Sequence, residues 1–339
     1  MAIKEAIQKL SRKENLSLEE ARASMDDIMS GSTEESVIAA FLMGLRMKGE
    51  TVEEIAGCAL SMRRNCETIT TKKKDLIDTC GTGGDGSGTF NVSTTAAIIV
   101  SAAGVPVAKH GNRAVSSSCG SADVLSALGV NIELEPEQAG RVLDEVGISF
   151  LYAPKFHKAM KYAAKVRKSL GIRTVFNVLG PLTNPAGVKR QVIGVFSDEW
   201  TEPIASVLSQ LGADHSLVVH GSGGMDEFSI LGETRVSEAK GGRVRTYRFH
   251  AADAGIRGGS SEEIRGGDSE SNAEIIRSIL RGKDGAPRAM ALLNSGAALY
   301  VAGKVQSIRE GVSMARDVVD SGSARRQLDT WIEATKSFG

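Results

Sequence analysis

Leu76-Ile77-Asp78-Thr79-Cys80-Gly81-Thr82-Gly83-Gly84-Asp85-Gly86-Ser87-Gly88-Thr89-Phe90-Asn91-Val92-Ser93-Thr94-Thr95 changes character twice within a short span. Leu76 to Thr79 reads as a strand, Gly81 to Gly86 as a turn of G-x-G-x-x-G form, and Val92 to Ala103 as a helix rich in small residues. Such a unit aims the unpaired N–H groups of a helix N-terminus at whatever lies over the turn, which favours an anion. A dinucleotide site also wants an acid about 20 residues further on, at the end of the next strand, to hold a ribose diol. Here the strand Val105-Pro106-Val107-Ala108 runs into Lys109-His110, which welcomes phosphate and forfeits that contact. No Gly-Lys-Ser/Thr follows the glycines, so the nucleotide P-loop reading fails too.

What stays is a phosphate cradle. The second loop, Lys109 to Ser121, repeats the recipe with two cations and four serines. Two phosphate-friendly loops after adjacent strands suit a ligand with phosphate at both ends, such as a phosphorylated sugar bearing a diphosphate. The plainer alternatives are that Ser93 and Thr94 only cap their helix and that the second loop is a solvated turn.

Outward from this unit, helix and strand patterns alternate through Ser121–Leu128, Pro136–Val146, Ile148–Tyr152, Phe156–Leu170, Gln191–Phe196, Ile204–Leu211 and Ser216–His220. That alternation predicts an α/β domain with a mainly parallel sheet. Arg243–Phe249 adds a strand, and helices are expected over Ala273–Leu280, Ala286–Val301, Ile308–Val319 and Arg325–Thr335. Gly255–Ser271, rich in Gly, Ser and charge, reads as a surface loop or mobile excursion. Towards the N-terminus the pattern is helical only. Ile3, Ile7 and Leu10 share one face, and Ser17–Glu20, Ser32–Glu35 and Thr51–Glu54 each have the form of a capping box. Gly31 and Gly49 stand where helices end. The expected architecture is a small helical domain over residues 1–70, with about 160–190 packed against it, and an α/β domain over 71–339. The cleft between them is the default ligand site.

Composition narrows the class. The 339 residues carry 41 Lys plus Arg against 41 Asp plus Glu, a formal charge of zero, which argues against general nucleic-acid binding. Glycine is 38 of 339 with only seven prolines, a bias towards tight turns and not towards linkers. No apolar run approaches the ~20 residues of a membrane span, and the N-terminus shows no secretory pattern. Cys58, Cys66, Cys80 and Cys119 have no metal-finger spacing, so reduced thiols in a cytoplasmic protein are the simplest expectation.

Two further constellations carry chemistry. Phe156, Met160, Ala163, Arg167 and Leu170 fall on one helical stripe, while Lys158, Lys161, Lys165 and Lys168 occupy the opposite, solvated face. A guanidinium among apolar residues needs a partner, either a protein acid or a ligand carboxylate gripped at two points. After the strand Leu217–His220, a glycine-rich turn leads to Asp226-Glu227. Adjacent carboxylates there are either an exposed acidic loop or ligands for Mg²⁺, which completes its shell with water and phosphate. His220 reads as strand-end packing.

Taken together, Gly81–Gly86, Asn91-Val92-Ser93-Thr94, Lys109-His110-Gly111-Asn112-Arg113 and Gly180-Pro181-Leu182-Thr183-Asn184-Pro185 resemble the anthranilate phosphoribosyltransferase family of tryptophan biosynthesis. The resemblance implies a nucleoside-phosphorylase-like fold, a site at the hinge between the domains and a homodimer. It implies that Gly81, Gly84, Asp85, Thr89, Asn91, Val92, Ser93, Thr94, Lys109, His110, Gly111, Asn112, Arg113, Ala114, Val115, Ser116, Ser117 and Ser121 bind phosphoribosyl pyrophosphate. Gly81, Asn112 and Arg167 would meet anthranilate, Ser93, Asp226 and Glu227 would hold Mg²⁺, and Lys109 would be catalytic. Cys119 stands where Gly, Ser or Ala is expected and leaves the loop's sensitivity to oxidation open. The rival enzyme is a pyrimidine nucleoside phosphorylase, and a rival of another class is a nucleic-acid-binding relative without activity.

Overall fold

The structure is a computed structural model that describes residues 1–114 and 118–338. Its first element is a bundle of α1 (Ala2–Ser11), α2 (Leu18–Met29), α3 (Glu35–Lys48) and α4 (Val52–Arg64). The Ser17–Glu20 and Thr51–Glu54 boxes both form, each hydroxyl accepting from the Glu N–H and each carboxylate accepting from the cap N–H. The Ser32–Glu35 box does not. α3 starts after Glu34 with no side-chain cap, because the hydroxyls face the end of α2 instead: Ser32 bonds Ser30 and Thr33 donates to the Asp27 carbonyl.

Seven strands make one sheet: β1 (Ile77–Gly81), β2 (Val107–Gly111), β3 (Ile148–Tyr152), β4 (Arg190–Gly194), β5 (His215–Gly221), β6 (Glu233–Lys240) and β7 (Arg243–His250). Their order is β3-β2-β1-β4-β5-β6-β7. The first five run parallel, β6 runs antiparallel to β5, and β7 pairs antiparallel with β6. Chain order reverses between β1 and β4, and in open α/β sheets ligands settle outside the carboxyl ends of the strands at such a point. β6 is not among the strands expected from the sequence, because its strand alternation is hidden by charge. Its Glu238 is nonetheless buried, accepting from Tyr300 at 2.8 Å and meeting His215 Nε2 at 2.9 Å, and these contacts hold its carboxyl down at about 2.

Strand alternation divides the interior into two clusters. Val192, Leu217 and Val219 face a cluster with Ile98, Leu293 and Trp331, whereas Ile193 and Val218 point the other way. That second face joins Met25, Phe41 and Ile55 of the bundle and Ala163, Val166, Phe176 and Leu182 from the segment between β3 and β4. The bundle therefore shares its core with one face of the sheet.

The single helix expected over Phe156–Leu170 is broken. Ala153–Phe156, a 3-10 turn at Lys158–Met160 and Lys161–Leu170 follow one another, parted at His157, whose backbone (φ −108°, ψ 57°) is not helical. The four lysines are exposed, as their phase requires.

Glu54 holds the bundle's turns together: it accepts from the N–H groups of Leu16 (2.9 Å) and Thr51 (2.8 Å) and from Lys48 Nζ (2.9 Å). The Lys48 and Glu54 side chains are 5% and 0% exposed, so the ion pair is buried. Lys48→Met leaves the carboxylate only its two backbone donors and is expected to cost about 3 kcal/mol. A urea midpoint lowered at constant m value checks this.

Candidate active site at the strand switch point

Gly81 and Gly194 end the two strands that flank the switch point. Asp226 lies across both. A Cβ on Gly81 would come within 2.2 Å of Asp226 Oδ2, and one on Gly194 within 1.4 Å of the Asp226 carbonyl oxygen. Gly81, expected at both substrates, thus also makes room for the acidic turn.

The glycine loop folds around that acid. Gly83, Gly84, Gly86 and Gly88 all have positive φ (64°, 70°, 72° and 65°), a region other residues seldom adopt. Gly83 N–H donates to Asp226 Oδ2 at 2.8 Å, and Asp226 N–H donates to Asp85 Oδ2 at 3.2 Å. Asp85 is further fixed by the Ser87 hydroxyl at 2.6 Å. Glu227 accepts from Ser93 N–H at 3.1 Å, so the acidic turn is bonded to the first turn of the helix Val92–Ala102. Val92 is packed in the core, and the Thr94 hydroxyl is buried without a partner among the described residues.

These carboxylates are not the exposed loop that is the alternative to a metal site. Both are half-buried. Burial and then the charge of Asp85 push Asp226 up to about 7. Burial and then Asp226 push Glu227 well above the usual carboxylate range, with Lys109 opposing. Hard oxygen donors crowded until they resist ionisation fit a divalent cation. Among the described residues no three His, Cys, Asp or Glu side chains are placed to hold one unaided, so further oxygens must come from water or a ligand.

Lys109, midway along β2, is 1% exposed and donates to the Thr79 carbonyl (2.5 Å) of β1 and to the Ser93 hydroxyl (3.3 Å) in the first turn of the helix Val92–Ala102. Beneath it Asp78 is buried, accepting from His110 N–H at 3.2 Å and from Asn184 Nδ2 at 2.7 Å. Asn184 also donates to the Ala108 carbonyl at 2.8 Å, so the Gly180–Pro185 segment is tied into the sheet. The His110 ring stands 5.1 Å from the His157 ring, and burial drops the two to about 3 and about 4.

In the second loop the Asn112 carbonyl accepts from Ala122 N–H and the Ser121 hydroxyl, and Arg113 pairs with Asp123 at 2.9 Å. Gly111 has no room for a Cβ, which would meet Ser121 Oγ at 2.2 Å. Asp123 closes the loop by accepting from Ala114 and Gly120 N–H. Val115, Ser116 and Ser117 lie outside the described residues. Cys119 is buried and its thiol is pushed up by that burial, which disfavours the thiolate through which oxidation proceeds. His220 Nδ1 meets the Val195 carbonyl at 2.7 Å and packs at the strand end.

Arg167 sits half-buried on the bundle side. Its guanidinium lies 5.1 Å from the Phe176 ring centroid, and burial alone lowers its pKa. No acidic side chain among the described residues forms a salt bridge with it.

Comparison with known proteins gives this geometry a family. Residues 4–66 and 73–325 match the helical bundle domain and the a/b domain of a glycosyl transferase family. The chain is 51% identical to anthranilate phosphoribosyltransferase of Acetivibrio thermocellus, over 99% of this chain and 97% of that one. It is 49% identical to that of Methanobrevibacter smithii over 99% and 100%. The crystal structure of the Thermus thermophilus enzyme superposes with a TM-score of 0.93 at 44% identity, covering 98% and 99%. The Saccharomyces cerevisiae enzyme in complex with PRPP and Mg gives 0.89 at 28% identity, covering 99% and 98%. The chain belongs to the anthranilate phosphoribosyltransferase family.

One residue at the glycine loop carries no signal in the sequence. Arg173 donates from Nη2 to the Gly84 carbonyl at 2.5 Å while its guanidinium lies 4.0 Å over the Phe196 ring. An exposed arginine in a loop carries no pattern that would single it out.

The raised acids set a pH dependence. Asp226 titrates near 4 in the unfolded chain and at about 7 when folded, so the folded protein binds the extra proton between those values. The stability this lends is complete below about pH 4 and is lost as pH rises through about 7. In chelator-treated protein, Asp226→Asn is expected to raise Tm at about pH 8 and to change it little at about pH 5. Differential scanning fluorimetry across that range checks the sign.

Proposed function

We propose that the chain transfers the phosphoribosyl group of 5-phosphoribosyl 1-pyrophosphate to the amine of anthranilate, releasing pyrophosphate, in tryptophan biosynthesis. The observation that carries the reading is Arg167, a half-buried guanidinium without an acidic partner among the described residues, on the bundle side of a phosphate-friendly switch point. A planar fork of this kind suits an aromatic carboxylate. The Saccharomyces cerevisiae relative in complex with 4-fluoroanthranilate, at a TM-score of 0.89, supports the same substrate class.

In the proposed reaction the bond from ribosyl carbon 1 to the pyrophosphate oxygen breaks and its electron pair leaves with pyrophosphate. The amine lone pair forms the new carbon–nitrogen bond, and the amine then gives up a proton. The loops Gly81–Thr94 and Lys109–Ser121 bind the phosphoribosyl pyrophosphate, with helix N–H groups and Lys109 facing the growing negative charge. Asp226 and Glu227, with Ser93 as a further contact, would hold Mg²⁺, which supplies positive charge to the diphosphate when bound. Gly81, Asn112 and Arg167 receive anthranilate. By family likeness we extend the reading to a homodimer working in the cytoplasm.

The direct test mixes protein, Mg²⁺, phosphoribosyl pyrophosphate and anthranilate and follows the loss of anthranilate fluorescence. Phosphorolysis of thymidine without that loss would instead establish a pyrimidine nucleoside phosphorylase. Within the proposed reaction, Arg167→Ala is expected to lose roughly 2–4 kcal/mol of transition-state binding, about 30- to 700-fold in kcat/KM for anthranilate. Affinity for phosphoribosyl pyrophosphate should stay within a few-fold, and Lys168→Ala, on the solvated face, is the matched control.

A further inference from the structure

The segment Gly255–Ser271, expected to be a surface loop or mobile excursion, is built onto the glycine loop. Thr89 and Arg265 form an antiparallel bridge, Gly266 N–H donates to the Gly88 carbonyl at 2.8 Å, and Phe90 N–H donates to the Ile264 carbonyl at 3.2 Å. Ile264 is 1% exposed, which anchors the segment in the interior. Behind it stands Asn272, also 1% exposed, in the first turn of the helix Ser269–Leu280.

The hydrogen bonds of Asn272 run in one direction. Its Oδ1 accepts from Gly267 N–H at 2.8 Å, so its amide nitrogen faces Asn91 and donates to Asn91 Oδ1 at 2.9 Å. That fixes the Asn91 amide in turn, with Nδ2 donating to the Cys119 carbonyl at 3.2 Å in the second loop. Flipping either amide would set donor against donor or acceptor against acceptor. Asn91 occupies the cap position of the helix Val92–Ala102, where asparagine usually accepts from the helix's own N–H groups. Here it makes no such bond, because the relay holds its side chain elsewhere.

We propose that Asn272 is a positioning residue that clamps the two phosphate loops together and withholds the Asn91 side chain from its own helix, so that the Thr94 N–H, which unlike those of Val92 and Ser93 has no acceptor among the described residues, stays available to the diphosphate. The inference rests on the function proposed above, and it assigns a task to a residue that touches neither substrate. Losing the relay frees Asn91 to turn back onto its helix and compete with phosphate.

Asn272→Asp tests it, since the side chain keeps its size and its acceptor for Gly267 but can no longer donate to Asn91. The expected result is a rise of about tenfold or more in KM for phosphoribosyl pyrophosphate, with kcat within threefold and KM for anthranilate within twofold. Calorimetry with phosphoribosyl pyrophosphate and Mg²⁺ alone should show the same loss, and Tm should hold within a few degrees. A merely structural asparagine would lower Tm and leave both KM values unchanged, and that result overturns the clamp. Should Asn272→Asp fail to fold, Ser118→Ala decides, because it removes only the bond from the Ser118 hydroxyl to the Gly267 carbonyl (2.9 Å) at the surface. A rise of about threefold in the same KM supports the clamp, and an unchanged value overturns it. Wild-type protein that neither binds phosphoribosyl pyrophosphate nor turns over overturns the functional reading itself. Wild-type turnover matched by Asn272→Asp overturns the clamp alone.

Discussion

Asp226 lies across the ends of two adjacent strands that carry no side chains there, and the rest of the site is arranged around that contact. Because Gly81 and Gly194 present bare backbone, the acidic turn settles directly on the sheet at its switch point. From that seat Asp226 takes the Gly83 N–H, which shapes the glycine loop, while Glu227 takes the Ser93 N–H, which fixes the helix start. The loop, the helix and the acids thus share one foundation, and a side chain at either glycine would disturb all three.

Charge is then distributed in layers. Lys109 is the buried cation between Asp78 below and Glu227 above, its field lowering the carboxyl pKa of each against the effect of burial. Arg167 stands apart on the bundle side, with an aromatic ring beside it and no salt bridge to an acid among the described residues. A ligand rich in phosphate and one bearing a single carboxylate would therefore find separate anchors. Asn184 joins the two regions by holding Asp78 and the Ala108 carbonyl from the segment that packs into the bundle's core.

Much of this was legible in the sequence, for identifiable reasons. The strand–glycine–helix unit and two of the three capping boxes are local patterns that form as read, whereas the Ser32–Glu35 box loses its hydroxyls to the end of α2. Arg167 was legible through helical phase even though the helix proved to be broken at His157. The failures share a different cause. β6 carries charges whose partners His215 and Tyr300 are remote in sequence, so its alternation reads as polar. The Gly255–Ser271 segment is largely the surface loop expected, but its anchoring contacts come from the glycine loop and not from itself, so they carry no local signal. Arg173 and Asn272 are single polar residues whose meaning lies wholly in what the fold brings to them.

The sequence distances inside the site bear on how the chain folds. Gly83 and Asp226 are 143 residues apart, and Ser93 and Glu227 are 134 apart. Contacts of such separation close very large loops, and their entropy must be met before they stabilise anything. The capping boxes of the bundle span only three residues by contrast. The acids therefore remain ordinary, ionised surface carboxylates for as long as β1 and β4 are unpaired. Crowding begins only when an already formed sheet is there to bear its cost, so the region with the chemistry is expected among the last to assemble and the first to open.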